Sequence, residues 1–99
     1  MIIYNVTINI EDDAHDAWFK WMKETHIPEV VRTGCFSSGS MFRLLVEEQS
    51  GTSYSVQYRA PNKAAVDRYL KDFAPGLRAD AEKHFGGKFV AFRTLLEEV

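Results

Sequence analysis

The chain has 99 residues, of which 45% are hydrophobic and 26% are charged, a composition typical of one soluble globular domain. Its formal net charge is −2, whereas proteins that bind nucleic acids or membrane surfaces normally carry a basic patch. Cys35 is the only cysteine, which excludes a disulfide within the chain, and no run approaches the roughly 20 apolar residues of a membrane span.

The N-terminal part of the chain predicts a strand followed by a helix. Residues 2–10 alternate between apolar and mostly polar side chains, which is the period of a strand that buries one face. The acidic residues 11–13 suit a helix N-terminus, and a helix is expected from Ala14 onward. Pro28 then ends this helix or opens a short second piece that stops at Gly34.

The remainder of the chain predicts a hairpin, a second helix and a last strand. Residues 36–48 and 53–60 alternate as two strands that a short turn connects. A helical stripe of apolar residues follows over 62–85, with a kink or two abutting helices expected at the proline–glycine pair 75–76. Residues 88–98 form the last strand, which is apolar on both sides.

The element order β-α-β-β-α-β is that of the ferredoxin-like α+β fold. Right-handed crossovers then give a four-stranded antiparallel sheet in the order 4-1-3-2, with two helices on one face. The second face is expected to be polar with apolar interruptions, which suits a partner sheet and predicts a homodimer through that face. The residues expected there are Ile3, Asn5, Thr7, Asn9, Met41, Arg43, Leu45, Ser53, Ser55, Gln57 and Arg59.

Five stretches of the sequence resemble a known family over nearly the whole chain. They are MIIYNVT (1–7), WFKWMKETHIP (18–28), GCF (34–36), FAP (73–75) and FGGKFVAFRTLL (85–96). The family they resemble consists of short bacterial proteins described as a domain of unknown function. The resemblance supports one domain over residues 1–99 and implies no activity.

The aromatic helix that leads into His26 and Pro28 is similar, more loosely, to the dimeric α+β barrel group. That group includes cofactor-free monooxygenases, haem-degrading enzymes and small dehalogenases. In it, two ferredoxin-like sheets pack face to face, and each protomer has a pocket between its sheet and its helices. The similarity therefore implies a dimeric α+β barrel, and it supports the fold more than any reaction.

His26 is the candidate catalytic residue. It is expected in the last turn of the first helix, after two tryptophans, where an imidazole can exchange a proton with a compound in an apolar pocket. The alternative is that its positive form only caps the helix C-terminus, where the helix dipole favours a cation.

Several aromatic side chains are candidates for the lining of a ligand pocket. Tryptophan rings can stack on a ligand, and tyrosine hydroxyls can supply its hydrogen bonds. The alternative is that these side chains only fill the core. The candidate pocket residues are Tyr4, Trp18, Trp21, Met22, Tyr54 and Tyr58.

The sequence predicts no metal site and no cofactor. No histidine or cysteine spacing typical of a metal site occurs, and His15 and His26 would lie about 16 Å apart along one helix. Arg43, Arg59 and Arg93 lie on predicted strands and could converge on one sheet face. They would form either an anion site or part of a dimer interface.

Two functions lead at the level of sequence, and RNA binding, which shares the β-α-β-β-α-β topology, trails as a third because the chain is acidic. The first is a dimeric protein that binds a small apolar or aromatic compound and, in its catalytic form, transforms it without a cofactor. The second is a non-catalytic dimeric module, regulatory or structural, with a filled core. A second copy and a small molecule are the expected partners, whereas nucleic acid and membrane are not. The N-terminus does not resemble a signal peptide, so the cytoplasm is the expected location.

Overall fold

The alternating segments of the sequence form four strands. In the computed structural model, which describes residues 1–99, they are β1 (Ile2–Ile10), β2 (Ser38–Arg43), β3 (Thr52–Ala60) and β4 (Phe89–Glu97). All pairings are antiparallel, and the strands lie in the order β2-β3-β1-β4. This is the predicted order read from the opposite edge, so the predicted ferredoxin-like topology is confirmed.

Two interrupted helical segments pack on one face of the sheet. The first consists of a 3-10 turn (Asp12–Ala14), α1 (His15–Trp21), a π-helical turn (Met22–His26) and α2 (Ile27–Arg32). The second consists of α3 (Lys63–Asp72) and α4 (Ala74–Phe85). The break between α3 and α4 lies beside the proline–glycine pair, so the predicted pair of abutting helices is confirmed.

Pro28 opens a second helical piece rather than ending the first segment. The turn just before it is widened, because the N–H of Ile27 bonds to the carbonyl of Met22, five residues back. A proline has no N–H, and its ring clashes with the carbonyl four residues earlier, so we attribute the π turn to this proline. His26 consequently lies inside the helical segment. It is the last residue of the π turn, so its predicted place in the last turn of the first helical piece is confirmed, but α2 continues directly from it. Because no free helix C-terminus is present there, the alternative of a C-terminal cap is wrong.

The core lies between the helices and the alternating faces of β1 and β3. Ile10 and Val56 on these strands are fully buried, as are Val30 and Val66 on the helices. Burying each such side chain contributes roughly 1.5–3 kcal/mol relative to leaving it exposed. The alternation read from the sequence of β1 and β3 therefore identifies the buried face correctly.

The hairpin of β2 and β3 differs from its prediction in register. Met41 and Arg43 pair with Val56 and Tyr54, whose side chains face the helices. Met41 and Arg43 therefore belong to the helix side of the sheet, and Phe42 takes the second face. The loop between the strands is longer than the expected turn, so the pairing of β2 with β3 is shifted by an odd number of residues from the predicted one. Such a shift moves every side chain of β2 to the other face of the sheet.

The three strand arginines do not converge on one face, which corrects that prediction. Arg59 pairs with Ile3 on the second face, away from the helices. Arg93 pairs with the buried Val6 and lies on the helix side of β4. Arg43 shares that side but lies on β2, at the opposite edge of the sheet.

The second face of the sheet carries a polar centre between apolar edges. In the centre, Ser55 donates to the Asn5 side-chain oxygen (2.6 Å), and the Asn5 amide donates to Thr7 (3.1 Å). At the β4 edge, Val90 and Phe92 are 71% and 64% exposed. Exposed apolar side chains grouped on one face mark an interaction surface more often than scattered ones do.

Candidate functional site

A cavity of about 340 Å³ lies between the helices and the sheet. Cavities of this size hold a small organic molecule. Of the 18 residues that line it, 14 are hydrophobic, so the cavity favours an apolar or aromatic occupant. Its floor consists of Tyr4, Val6, Ile8, Val56, Tyr58, Phe89, Ala91 and Arg93, and its helical walls consist of Trp18, Trp21, Met22, His26, Tyr69, Leu77, Arg78, Ala81, Glu82 and Phe85.

The cavity exists because α4 leaves the space above β4 unfilled. Ala74, the first residue of α4, is the only buried residue of that helix. Further along, small Ala81 of α4 and small Ala91 of β4 both line the space. Larger side chains at these two positions would close it, so the opening follows from local sequence.

Three tyrosine hydroxyls supply hydrogen-bonding groups in the cavity. Burial raises the pKa of Tyr58, and nearby Tyr69 and Tyr4 add to the rise. Burial also raises the pKa of Tyr69, although Arg78 and Arg93 partly oppose it. The phenols of Tyr58 and Tyr69 therefore stay protonated at neutral pH. Arg78 donates a hydrogen bond to the Tyr4 hydroxyl (3.1 Å), which holds that hydroxyl in place.

His26 is held neutral in the cavity wall. Burial lowers the pKa of this imidazole from 6.5 to about 4, with Arg93 lowering it further and Asp80 opposing the change. Its Nδ1 atom is buried and has no hydrogen-bond partner within the chain. Leaving a buried polar atom unpaired costs about 1–3 kcal/mol. A neutral imidazole with a free ring nitrogen can accept or donate a hydrogen bond to a molecule in the cavity.

Trp21 lies between two histidines from different parts of the chain. Its ring centroid is 4.7 Å from that of His26, with 23° between the planes, and 5.4 Å from that of His84. His84 is fixed by a hydrogen bond between its Nδ1 and the carbonyl of Asp80 (2.8 Å). Stacking therefore ties the π turn to α4 and sets the orientation of the His26 ring.

The structure brings five of the six candidate pocket residues, together with His26, to this one cavity. The five are Tyr4, Trp18, Trp21, Met22 and Tyr58. The sixth, Tyr54, is not among the lining residues. Its hydroxyl forms a 2.6 Å hydrogen bond with His15 Nε2, and its ring packs on Trp18. Tyr54 thus supports the cavity wall from behind.

Sequence reasoning did not place in the pocket the polar residues that the C-terminal half contributes, although it had named Arg93 as a candidate for an anion site. Arg78 and Glu82 are one helical turn apart on α4, Arg93 lies on β4 and Tyr69 on α3, and all four line the cavity. The spacing of Arg78 and Glu82 was the one available signal, since residues four apart share a helix face. It pointed only to a common face of the helix.

No group of three or more histidine, cysteine, aspartate or glutamate side chains is arranged to hold a metal ion. No helix of the chain is both long enough and apolar enough to cross a membrane.

Comparison with known proteins identifies the family. The model of the family described as "Domain of unknown function (DUF4286)" matches residues 1–99. The chain belongs to this family. No protein of curated function matches the sequence. Family membership therefore agrees with the resemblance read from the sequence and leaves the function to be argued from the site.

Solved structures related to this DUF4286 chain share its fold. An ethyl tert-butyl ether (ethd) family protein from Bacillus halodurans is 15% identical, with a TM-score of 0.67 and 100% of both chains covered. An antibiotic biosynthesis monooxygenase is 15% identical, with a TM-score of 0.64 and coverage of 100% and 99%. A dimeric ferredoxin-like protein from an uncultured marine organism is 17% identical, with a TM-score of 0.58 and coverage of 99% and 97%. At these identities the likeness shows the ferredoxin-like fold alone.

Proposed function

We propose that this DUF4286 protein binds a small apolar or aromatic compound in the cavity, and that His26 exchanges a proton or hydrogen bond with it. The observation that carries the proposal is the buried, unpaired Nδ1 atom of His26 in the wall of a largely apolar cavity. Native structures rarely leave buried polar atoms without partners, and functional sites account for many of the exceptions.

The low pKa of His26 defines what this residue can do. At neutral pH its imidazole is unprotonated, so it carries a lone pair that can accept a proton. An imidazole with a pKa near 4 is a weak base, so it can abstract only a proton that the ligand gives up easily. Either that proton is acidic by itself, or the tyrosine hydroxyls stabilise the anion that forms when it leaves. The catalytic version of the proposal therefore requires an activated substrate.

Cavity filling tests the proposal. Ala81 lines the cavity, whereas Ala79 lies on the same helix and is exposed. We expect Ala81→Phe to weaken binding of 2-naphthalenemethanol, measured by titration calorimetry, by at least tenfold, and Ala79→Phe to leave it unchanged. If the two variants bind this compound equally, or if the wild-type protein binds neither it nor its carboxylate analogue 2-naphthoate, the proposal is wrong and the non-catalytic module becomes the better account.

The names of two structural relatives are consistent with a small-molecule role. One is called an antibiotic biosynthesis monooxygenase and another belongs to an ethyl tert-butyl ether family. Both names refer to small organic compounds, as the apolar cavity of this chain would require. Because those chains are only 15% identical to this one, they suggest the class of ligand and no particular reaction.

We also propose that a second copy of the chain covers the second face of the sheet. The central polar side chains there already bond to one another, as Gln57 does to Ser55 (3.2 Å), so burying them leaves few groups unpaired. At the edges, Phe42, Val90, Phe92 and Leu96 expose apolar surface that burial would remove from water. The dimeric relative with this fold supports a copy of the chain as the occupant.

A further inference from the structure

The charges at the cavity point to the chemical class of its ligand. Arg78 and Arg93 line the cavity together with one carboxylate, that of Glu82, while His26 adds no charge at neutral pH. The cavity thus carries a positive excess in a protein whose formal net charge is −2. A local charge opposite in sign to that of the whole chain favours a bound anion.

Neither arginine is neutralised by the protein. The ion pairs of the chain involve Lys63, Lys88, His15 and His84, and none involves an arginine. Arg78 uses one N–H on the neutral Tyr4 hydroxyl, which leaves its other donors free. Both guanidinium groups also influence the pKa of Tyr69, so their charge reaches the space where a ligand would lie.

The position of the arginines orients such a ligand. Arg78, Arg93 and Glu82 are exposed, whereas Trp18 and Met22 on the far wall are buried. The charged end of the cavity is therefore its mouth, and the inner end is apolar. A charge at the mouth stays partly hydrated, which lowers the desolvation cost that a deeply buried ion pair would carry.

We propose that the ligand is a carboxylate with an aromatic or otherwise apolar body, whose carboxylate group is bound at the mouth by Arg78 and Arg93. This proposal rests on the proposed function of the cavity and adds the ligand class. The planar guanidinium forks match a carboxylate in two-point hydrogen bonding. The apolar body then occupies the inner cavity beside Trp18 and Met22.

Three matched probes test the proposal against the wild-type protein: 2-naphthoate, the neutral 2-naphthalenemethanol and the cation 2-naphthylmethylammonium. We expect 2-naphthoate to bind at least about tenfold more tightly than the alcohol, a difference of about 1.4 kcal/mol, since only the acid forms charge-assisted hydrogen bonds with the arginines. Equal binding of the acid and the alcohol, or tighter binding of the cation, would overturn the carboxylate proposal while leaving the binding cavity intact. If none of the three binds, both proposals fail.

Variants that change one charge each test whether the residues at the mouth cause the preference for 2-naphthoate. Arg78→Gln and Arg93→Gln should each weaken 2-naphthoate binding about tenfold and should weaken binding of the alcohol by much less, so that the preference for the acid is largely lost. Continued binding of the alcohol by each variant then shows that the cavity remains folded. Glu82→Gln should strengthen 2-naphthoate binding, because it removes the only negative charge in the lining. Arg43→Gln, with the same loss of charge at the opposite edge of the sheet, should have no effect. If Arg43→Gln weakens binding as much as the mouth variants do, only net charge matters and the proposal is wrong.

Discussion

At the scale of single residues, His26 has a stability cost that depends on pH. Its folded-state pKa of about 4 lies below the 6.5 expected in an unfolded chain. The unfolded state therefore binds more protons between these values, and the folded state loses stability as the pH falls from 6.5 to 4. The loss approaches a limit of about 3 kcal/mol, since one pKa unit corresponds to 1.36 kcal/mol.

The His26→Gln variant isolates this effect. Denaturant unfolding across pH 4 to 7 should show the free energy of unfolding of the wild-type protein falling more steeply than that of the variant, which cannot take up the proton. The imidazole signals of His26 should titrate near pH 4 by NMR. Two results would mean that burial does not hold His26 neutral. One is an NMR titration midpoint near pH 6.5 for His26 in the wild-type protein, and the other is an unfolding free energy that falls equally steeply with pH in the two proteins.

The sequence predicted six of the 18 residues that line the cavity. Trp18, Trp21 and Met22 could be predicted because they share the face of one amphipathic helix close to His26. Tyr69 and Arg93 could not, because they lie on separate elements and meet the others only through the tertiary fold, in which α3 packs on β1 and β3 and β4 pairs with β1. Local spacing carries no information about such contacts.

At the scale of elements, replacing glycine with alanine should have opposite effects on stability at two positions. A Cβ at Gly39 of β2 would lie 2.9 Å from both the Tyr58 ring and the Ile27 side chain, whereas a Cβ at Gly76 of α4 would meet nothing within 4 Å. Gly39→Ala should therefore destabilise the protein by about 1–3 kcal/mol through overpacking. Gly76→Ala should stabilise it by roughly 0.5–1 kcal/mol, because alanine suits a helix better than glycine does.

Thermal unfolding of the two alanine variants at neutral pH measures these effects, each variant serving as the control for the other. A stable Gly39→Ala protein would show that β2 does not pack closely against α2. A destabilised Gly76→Ala protein would show that the first turn of α4 lacks the open space that an alanine side chain needs there.

The elements differ in how far sequence could define them. The alternation of β1 predicted both its bounds and its buried face, because the period of two is unbroken over Ile2–Ile10. For β2 the predicted length and face were wrong, since the parity of a hairpin depends on the geometry of its loop, which composition does not specify. The same limit explains why Met41 and Arg43 were placed on the second face.

At the scale of the whole molecule, the second sheet face should determine the oligomeric state. Phe92→Lys places a charge among the exposed apolar residues of that face, where burial in a dimer would desolvate it. We expect light scattering at micromolar concentration to give twice the chain mass of 11.3 kDa for the wild-type protein and the monomer mass for Phe92→Lys.

The matched control is Leu45→Lys. Leu45 is 92% exposed in the loop between β2 and β3, so this variant makes the same type of change outside the proposed interface and should remain dimeric. A monomeric wild-type protein, or dissociation caused equally by both substitutions, would rule out pairing through the second face.

The central claim is that the space between α4 and the sheet is a binding site, and indole NMR tests it most directly. The chain has two tryptophans, and both Trp18 and Trp21 line the cavity, so their indole N–H signals report from inside it. On titration with 2-naphthalenemethanol, both signals should shift and saturate together, and Ala81→Phe should abolish the shifts. If the compound binds while both indole signals stay unchanged, the ligand lies elsewhere and the account is contradicted.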